Sequence, residues 1–443
     1  MSQVDVQGLW WEESTSQGSS GDSVPEDAVP GSLSFKHGIG GKLEFIGVLP
    51  SGGNLPTQEE PVSSPPDRIY GLAPNGKQYT LERIQPPEST MGAAFSTETY
   101  TVGRVYEGGF VGSETRFWKM SLSLQHLANW AEVKYMQDTI EAGQFAEVRT
   151  EDVELDDAEL ILWMYRNPRT GTRSARFEIY PNSPNSYSKF VDNYSLVLAR
   201  LLTLGTDETV FPSSTRVFTG KYGHSSTSLT VYENFSFYEE VKQEKHAIRM
   251  HFTLTDIEFR SAFSAWFEFY NDCPEFFHRY FGQIYNDQQY TPAKFLSIVV
   301  GLELYHRQTY TSGNYMSDEI WERVRDSTLD GMPNVVAKKR VQDLLNSIGN
   351  RYSLADRLRD ISADHDRVLD QVFDVNSVVS ETRDMRIDIA HGLDQEDLDK
   401  EEQYKRKKRA EAFATVCLLD TLNIDEAQSV EILNDMCEFY GFY

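Results

Sequence analysis

The residues best placed to do chemistry lie in Thr382-Arg383-Asp384-Met385-Arg386-Ile387-Asp388-Ile389-Ala390-His391-Gly392. An arginine and a histidine that converge on one phosphate suffice to cleave RNA without a metal. Val378, Thr382, Met385 and Ile389 recur at helical spacing and form the buried stripe of a helix from Asn376 to Ala390. Arg386 flanks that stripe and therefore points toward a helix interface. His391 follows five positions later, which on an ideal helix is about 140° around the axis. Gly392 is the preferred residue just past a helix end, so it places His391 in the last turn or the cap, where the backbone can swing the ring toward Arg386. The plainer reading pairs Arg386 with an acid such as Asp388 or Glu303 and leaves His391 as a helix cap.

Other groups carry weaker signals. Lys405-Arg406-Lys407-Lys408-Arg409 is the densest basic run, and Lys405, Arg406, Lys408 and Arg409 are candidates to track an RNA backbone, with Lys338-Lys339-Arg340 next. Glu401 and Glu402 stand four residues before Lys405 and Arg406, the order that favours helical ion pairs, so a solvated helix face is the favoured reading of that run. His37-Gly38-Ile39-Gly40-Gly41-Lys42 looks like a phosphate loop but joins two strands, so it reads as a hairpin turn. Asp360, Asp364, His365, Asp366 and Asp370 circle a helix rather than share a face; no metal and no cofactor is assigned. Trp10, Trp11, Trp118, Trp130 and Trp163 line a ligand groove or, more commonly for such residues, pack in a core. Cys273, Cys417 and Cys437 are too far apart in sequence for a zinc motif and read as small buried apolar residues.

The elements that must position these groups fall into two regimes. Before about Phe252 the pattern is of short alternating runs separated by turns, the period of half-buried strands, as in Gly41 to Val48 and Ala247 to Leu254. Asn75-Gly76 and Arg169-Thr170-Gly171-Thr172 each join two such runs as hairpins. Tyr194 to Leu204 is a helical patch within this region. Pro, Ser and Gly collect at Ser14 to Gly31, Pro50 to Asp67 and Gln85 to Gly92, which read as loops. After Asp256 the period becomes helical: Thr291-Pro292 opens a helix whose Phe295, Val299, Leu302 and His306 share a face, and further helices are expected at Asn334 to Ile348, Asp366 to Phe373, Glu396 to Asn423 and Asp425 to Tyr440. Short loops between helices imply an antiparallel bundle. The expected fold class is α+β and multidomain: a β-rich subdomain over residues 1–140, a second β-rich subdomain with helices over 141–285, and an all-α bundle over 286–443.

With 443 residues and 40% hydrophobic content the chain can bury more than one core. No run reaches the roughly 18 to 20 apolar residues of a spanning helix, and Met1 to Asp5 lacks the basic start of a secretory signal, so a cytosolic location is expected. A net charge of −26, spread over both halves, excludes a general polyanion binder. Any nucleic-acid site must be a local basic cleft in a repelling surround.

Asp384 to Gly392 resembles the Arg-x4-His signature of HEPN ribonucleases, in particular the form found in ApeA-type anti-phage proteins. Phe295 to Arg307, with its Leu302-Glu303-Leu304-Tyr305-His306-Arg307 ending, is similar to the opening helix of that HEPN domain, and Gly8-Leu9-Trp10-Trp11 followed by Val29 to Phe35 is similar to the start of the ApeA N-terminal domain. Ile387 stands where the family usually carries a polar Asn; Asp388 is the residue that could replace it. The resemblance implies an abortive-infection effector in which the β-rich region senses or restrains a helical nuclease. It implies a homodimer or larger even oligomer, since two HEPN domains set both Arg-x4-His pairs on one cleft. One imidazole then takes the proton of a ribose 2′-hydroxyl, the oxygen attacks the adjacent phosphorus, and Arg386 holds the phosphate oxygens, leaving a 2′,3′-cyclic phosphate and a 5′-hydroxyl. Glu303 is the residue expected to orient Arg386 or His391 from the neighbouring helix. RNA, with transfer RNA as a small structured example, and a phage-derived trigger are the implied partners. A different class of function is a non-catalytic HEPN-like dimerisation scaffold whose β-domain recognises a protein or glycan, which Ile387 favours.

Overall fold

A computed structural model describes residues 3–13, 24–46, 49, 65–91, 96–131, 147–166, 173–206, 208–220, 227–235, 250–286, 288–310, 314–332, 335–391 and 400–438. The expected turn at Arg169 to Thr172, Gly392, and most of the loops at Ser14 to Gly31 and Pro50 to Asp67 lie outside these residues. The contacts separate two units, Met1–Arg260 and Ser261–Tyr443.

In the first unit, strands β1 (Gln3–Glu12), β2 (Val29–Lys36), β3 (Gly40–Ile46), β4 (Arg68–Leu72), β5 (Gln78–Ile84), β6 (Glu88–Met91) and β7 (Ser96–Glu107) are antiparallel neighbours. Their order is β3-β2-β1-β4-β5-β7, and β3 also bonds to β7, so the sheet closes into a barrel. Alternation drives this closure: Leu33, Phe35, Leu43, Phe45, Ile69, Leu81, Tyr100 and Val102 point inward and form its core with Trp10. The expected Asn75-Gly76 hairpin joins β4 to β5, with Gly76 at φ +79°. His37 to Ile39 turns β2 into β3, as the hairpin reading requires. His37 is buried there: its Nδ1 accepts the Glu233 N–H at 3.2 Å, so Nε2 carries the proton and donates to the Pro212 carbonyl at 2.8 Å.

Strand β7 forks. Its first half bonds to β3, and its second half bonds to β5 on one side and, on the other, to a second set of strands. These are β8 (Lys119–Leu124), β9 (Glu147–Glu154), β10 (Ala158–Arg166), β11 (Arg173–Pro181), β12 (Pro212–Phe218) and β13 (Ser228–Glu233), in the order β13-β12-β8-β11-β10-β9. Hydrogen bonding therefore runs across the seam expected at residue 141: β8, before it, pairs with β11 and β12, after it. At the fork Arg104 lies in register between Glu82 and Glu233 and binds both, at 3.0 and 2.6 Å, with its guanidinium 4.5 Å above the Tyr187 ring.

The buried face of the second strand set, with Met120, Leu122, Leu160, Leu162, Phe177 and Ile179, packs on α1 (Leu127–Trp130), which in turn packs on α3 (Leu196–Thr206), a helix that follows α2 (Tyr187–Phe190) and a π-turn at Val191–Ser195. Trp10 and Trp130 are core residues, whereas Trp163 is half-buried beneath Arg176 beside a cavity of about 400 Å³. The strand expected over Ala247 to Leu254 does not form in its described part: Thr253 instead caps a 3-10 turn at Leu254–Asp256 through a reciprocal bond with Asp256.

The second unit is helical: α4 (Phe259–Asp272), α5 (Pro274–Tyr285), α6 (Thr291–Thr309), α7 (Asp318–Asp330), α8 (Val335–Ile348), α9 (Leu354–Asp364), α10 (Asp366–Val372), α11 (Val375–His391), α12 (Lys400–Thr421) and α13 (Glu426–Glu438). It begins earlier than residue 286 because aromatic packing ties α4 and α5 to α6. Phe269 and Phe276 lie 5.8 and 5.4 Å from Tyr305, ring centre to ring centre. Phe295, Val299, Leu302 and His306 are all fully buried, as their shared face predicts. No described helix is long and apolar enough to cross a membrane.

Candidate functional site

The site is built by α6, α9 and α11. Along α11, Val378, Thr382 and Met385 face the interior and Ile389 is half-buried, which leaves Arg386 on the flank of the stripe, about 39% exposed. Its Nε lies 3.6 Å from Glu303 Oε1 on α6. The carboxylate is mostly buried at 16% exposure, so an unpartnered charge there would be costly. Glu303 and Arg386 are thus brought together, the pairing that the plainer reading of the sequence offered.

Behind them runs a buried polar chain. His306, three residues after Glu303 and fully buried, accepts at Nδ1 from the guanidinium of Arg357 on α9 at 2.9 Å. An arginine can only donate, so Nδ1 is bare, and the ring proton sits on Nε2, which donates to Asp360 at 2.8 Å. Burial depresses the His306 pKa, and the charges of Arg357 and Arg307 add to it against the opposing pull of Asp360. The ring stacks on Tyr310 at 4.4 Å and meets Tyr352 edge-on at 5.6 Å. Burial also lowers the pKa of Arg357, as does the nearby Arg307, while Glu303 and Asp360 oppose them. Hydrogen bonds link Asp360, His306 and Arg357, an ion pair links Glu303 and Arg386, and the Glu303 charge bears on Arg357, so the two groups lie beside each other on three helices. Arg357 carries no sequence signal of its own; its partners are across the bundle. Asp360 keeps the partial exposure of a helix end yet accepts from His306, and Asp364 accepts from the Tyr310 hydroxyl.

Arg386 and His391 are not brought together within one copy. Helix α11 continues unbroken through His391, which is exposed at its last residue, and among the described residues the imidazole makes no hydrogen bond. The swing expected of a capped end is absent from the described backbone, and its pivot, Gly392, lies outside it. Asp388 is half-buried and, among the described residues, pairs with neither Arg386 nor His391; Ile387 is exposed.

The basic run on α12 is neutralised. Lys405 pairs with Glu401 at 2.6 Å, Arg406 with Glu402 at 3.1 Å, and Arg409 reaches Glu381 of α11 at 2.5 Å. Lys407 and Lys408 are buried against Glu411, at 2.6 and 3.2 Å. Burial alone would raise the Glu411 pKa, but the two ammonium groups push it down to about 2. Lys408 is thus an internal residue rather than a surface contact. Three other arginines, Arg307 on α6, the buried Arg357 on α9 and Arg386 on α11, gather at the site instead. Among the described residues no His, Cys, Asp and Glu cluster has the arrangement of a metal site.

Comparison with known proteins agrees with this two-part architecture. Residues 5–266 match the family model of the ApeA N-terminal domain 1, and residues 296–428 match that of the Apea-like HEPN domain. The second match begins in α6 and ends in α13, so it contains every residue of the site. No curated protein and no solved structure gives a match. The N-terminal match alone covers more than half of the chain, and the protein belongs to the ApeA-type HEPN family.

Proposed function

We propose that this protein is an anti-phage effector whose helical unit is a metal-independent endoribonuclease, with the β-rich unit as sensor or restraint. The observation that carries this reading is the partly exposed Arg386, held by Glu303 within the segment that matches the HEPN model. A guanidinium seated on a carboxylate is preorganised for a phosphodiester, whose oxygens accept the same planar fork of donors. His391 supplies the group that moves protons. It takes the 2′-hydroxyl proton as the oxygen attacks phosphorus, and a second, protonated group delivers a proton to the departing 5′-oxygen. Arg386 stabilises the charge that builds on the phosphoryl oxygens. The RNA bond breaks to a 2′,3′-cyclic phosphate and a 5′-hydroxyl, and DNA is inert. Because Arg386 and His391 diverge on one helix, the working site combines groups from two copies, which makes the active species a homodimer or larger even oligomer.

Expression of the full chain under phage challenge tests this directly. RNA ends mapped from those cells should carry cyclic phosphates, and EDTA should leave cleavage by purified protein unchanged. Arg386→Ala and His391→Ala should fold as the parent and each lose at least about a hundredfold in cleavage rate. Equal behaviour of the parent and both variants would leave the scaffold function in its place.

A further inference from the structure

Glu303 and Arg307 stand four residues apart on α6, acid before base, the order in which a helical ion pair forms most readily. That pair is not made. Glu303 turns to Arg386 on α11, and Arg307 is left exposed, with no hydrogen bond or ion pair among the described residues. It stands next to His306 and one helical turn from Glu303 on α6, and its charge bears on both Arg357 and His306. The set then holds three guanidinium groups, Arg307, Arg357 and Arg386, against two carboxylates, Glu303 and Asp360, with His306 neutral. The balance is one positive charge in a chain of net charge −26. Arg357 is buried and donates to His306, and Arg386 is engaged by Glu303. Arg307 keeps its donors free for a ligand.

We propose that Arg307 is a second phosphate-holding residue: with the scissile phosphate at Arg386, a neighbouring phosphodiester of the same RNA strand is bound by Arg307. Glu303, which Arg357 also attracts, lies among the guanidinium groups and offsets their repulsion while no RNA is bound. This inference rests on the ribonuclease reading and adds to it the residue that positions the strand.

The test is equilibrium binding of bulk transfer RNA to the full-length His391→Ala chain, which leaves the RNA uncut, across a series of salt concentrations. Each phosphate neutralised contributes about 0.7 to 0.9 to the slope of log affinity against log salt. Adding Arg307→Ala should reduce the slope by about that amount and weaken binding several-fold at low salt. Arg307→Lys should keep the slope, because it keeps the charge. Lys405→Ala, whose ammonium is occupied by Glu401, should leave the slope unaltered. If the parent binds and Arg307→Ala shows an unchanged slope, the role of Arg307 is overturned while the nuclease reading stands. If the His391→Ala chain binds no transfer RNA at any salt while the chain with His391 intact still cleaves RNA in infected cells, Arg307's role on this probe is overturned. If the His391→Ala chain does not bind and the chain with His391 intact does not cleave, the nuclease reading falls and Arg307 with it.

Discussion

Arg357 decides more at the site than its silence in the sequence suggests. By donating to Nδ1 it forces His306 into the neutral form with its proton on Nε2, and that proton holds Asp360. A buried neutral histidine is a stability statement. The native state keeps the ring unprotonated at pH values where the unfolded chain, near the ordinary 6.5, begins to bind a proton, so the unfolded state binds more protons and stability rises with pH. The contribution is complete above about 6.5 and is lost as pH falls from there toward the depressed native value. Burial depresses the pKa of His37 in the barrel turn in the same direction. Chemical denaturation at pH 7.5 and 5.5 should therefore show a loss of stability on acidification, with a slope of up to about 1.4 kcal/mol per pH unit for each such ring. His306→Gln should be less stable at neutral pH yet show a shallower loss on acidification. An unaltered pH slope would mean that His306 is already protonated in the folded state. The position of Arg386 on the flank of its buried stripe was legible from helical spacing, and the sequence offered Glu303 as its partner, but the convergence of His391 on Arg386 was not found. Arg357 and Asp360 were not legible, because their partner lies 50 or more positions away on another helix.

Helix α12 shows how an element changes the meaning of a motif. Five consecutive basic residues wrap the helix, so they cannot share one environment. Lys405 and Arg406 lie outward with acids one turn earlier, while Lys407 and Lys408 turn inward to Glu411, which also accepts from Gln283 of α5 at 3.1 Å. Removing one partner from a buried ionic group leaves an uncompensated charge, whereas removing one from an exposed pair costs little. Glu411→Ala should thus cost about 3 to 5 kcal/mol in urea denaturation, and Glu402→Ala at most about 1 kcal/mol. Equal costs would mean that the buried lysines lose their protons or reach water. The ion-pair reading of the run was available from the Glu-x3-Lys order; the inward turn was not, since Lys407 and Lys408 look no different from their neighbours. The strand period before Phe252 and the helices α6, α8, α10, α11, α12 and α13 were similarly readable, but Glu88–Met91, expected within a loop, pairs with β7 as strand β6. Helices α4, α5, α7 and α9 were not delimited, although in α4 the buried Phe259, Ala262, Phe263, Trp266 and Phe267 recur at helical spacing.

For the whole molecule, the two-part organisation follows from the change of hydrophobic period, but closure of the barrel does not. It depends on β7 pairing with β3 across some fifty intervening positions and then leaving the barrel to pair with β13, choices that alternation alone does not specify. The same limit applies to assembly. A continuous α11 directs Arg386 and His391 about 140° apart, so one copy cannot close both on a phosphate. In the proposed dimer a two-fold axis sets the arginine of one copy against the histidine of its partner, and each dimer then has two such pairs. Mixing Arg386→Ala chains with His391→Ala chains is the decisive measurement, because each variant alone lacks every complete pair. A heterodimer regains one of its two pairs, and random exchange makes about half of the dimers heterodimeric, so cleavage should return to about a quarter of the parent rate. Recovery must also require time or mild denaturant for the subunits to exchange. If exchanged mixtures, verified by differential tagging, stay as inert as the separate variants, Arg386 and His391 do not act across a dimer as paired here.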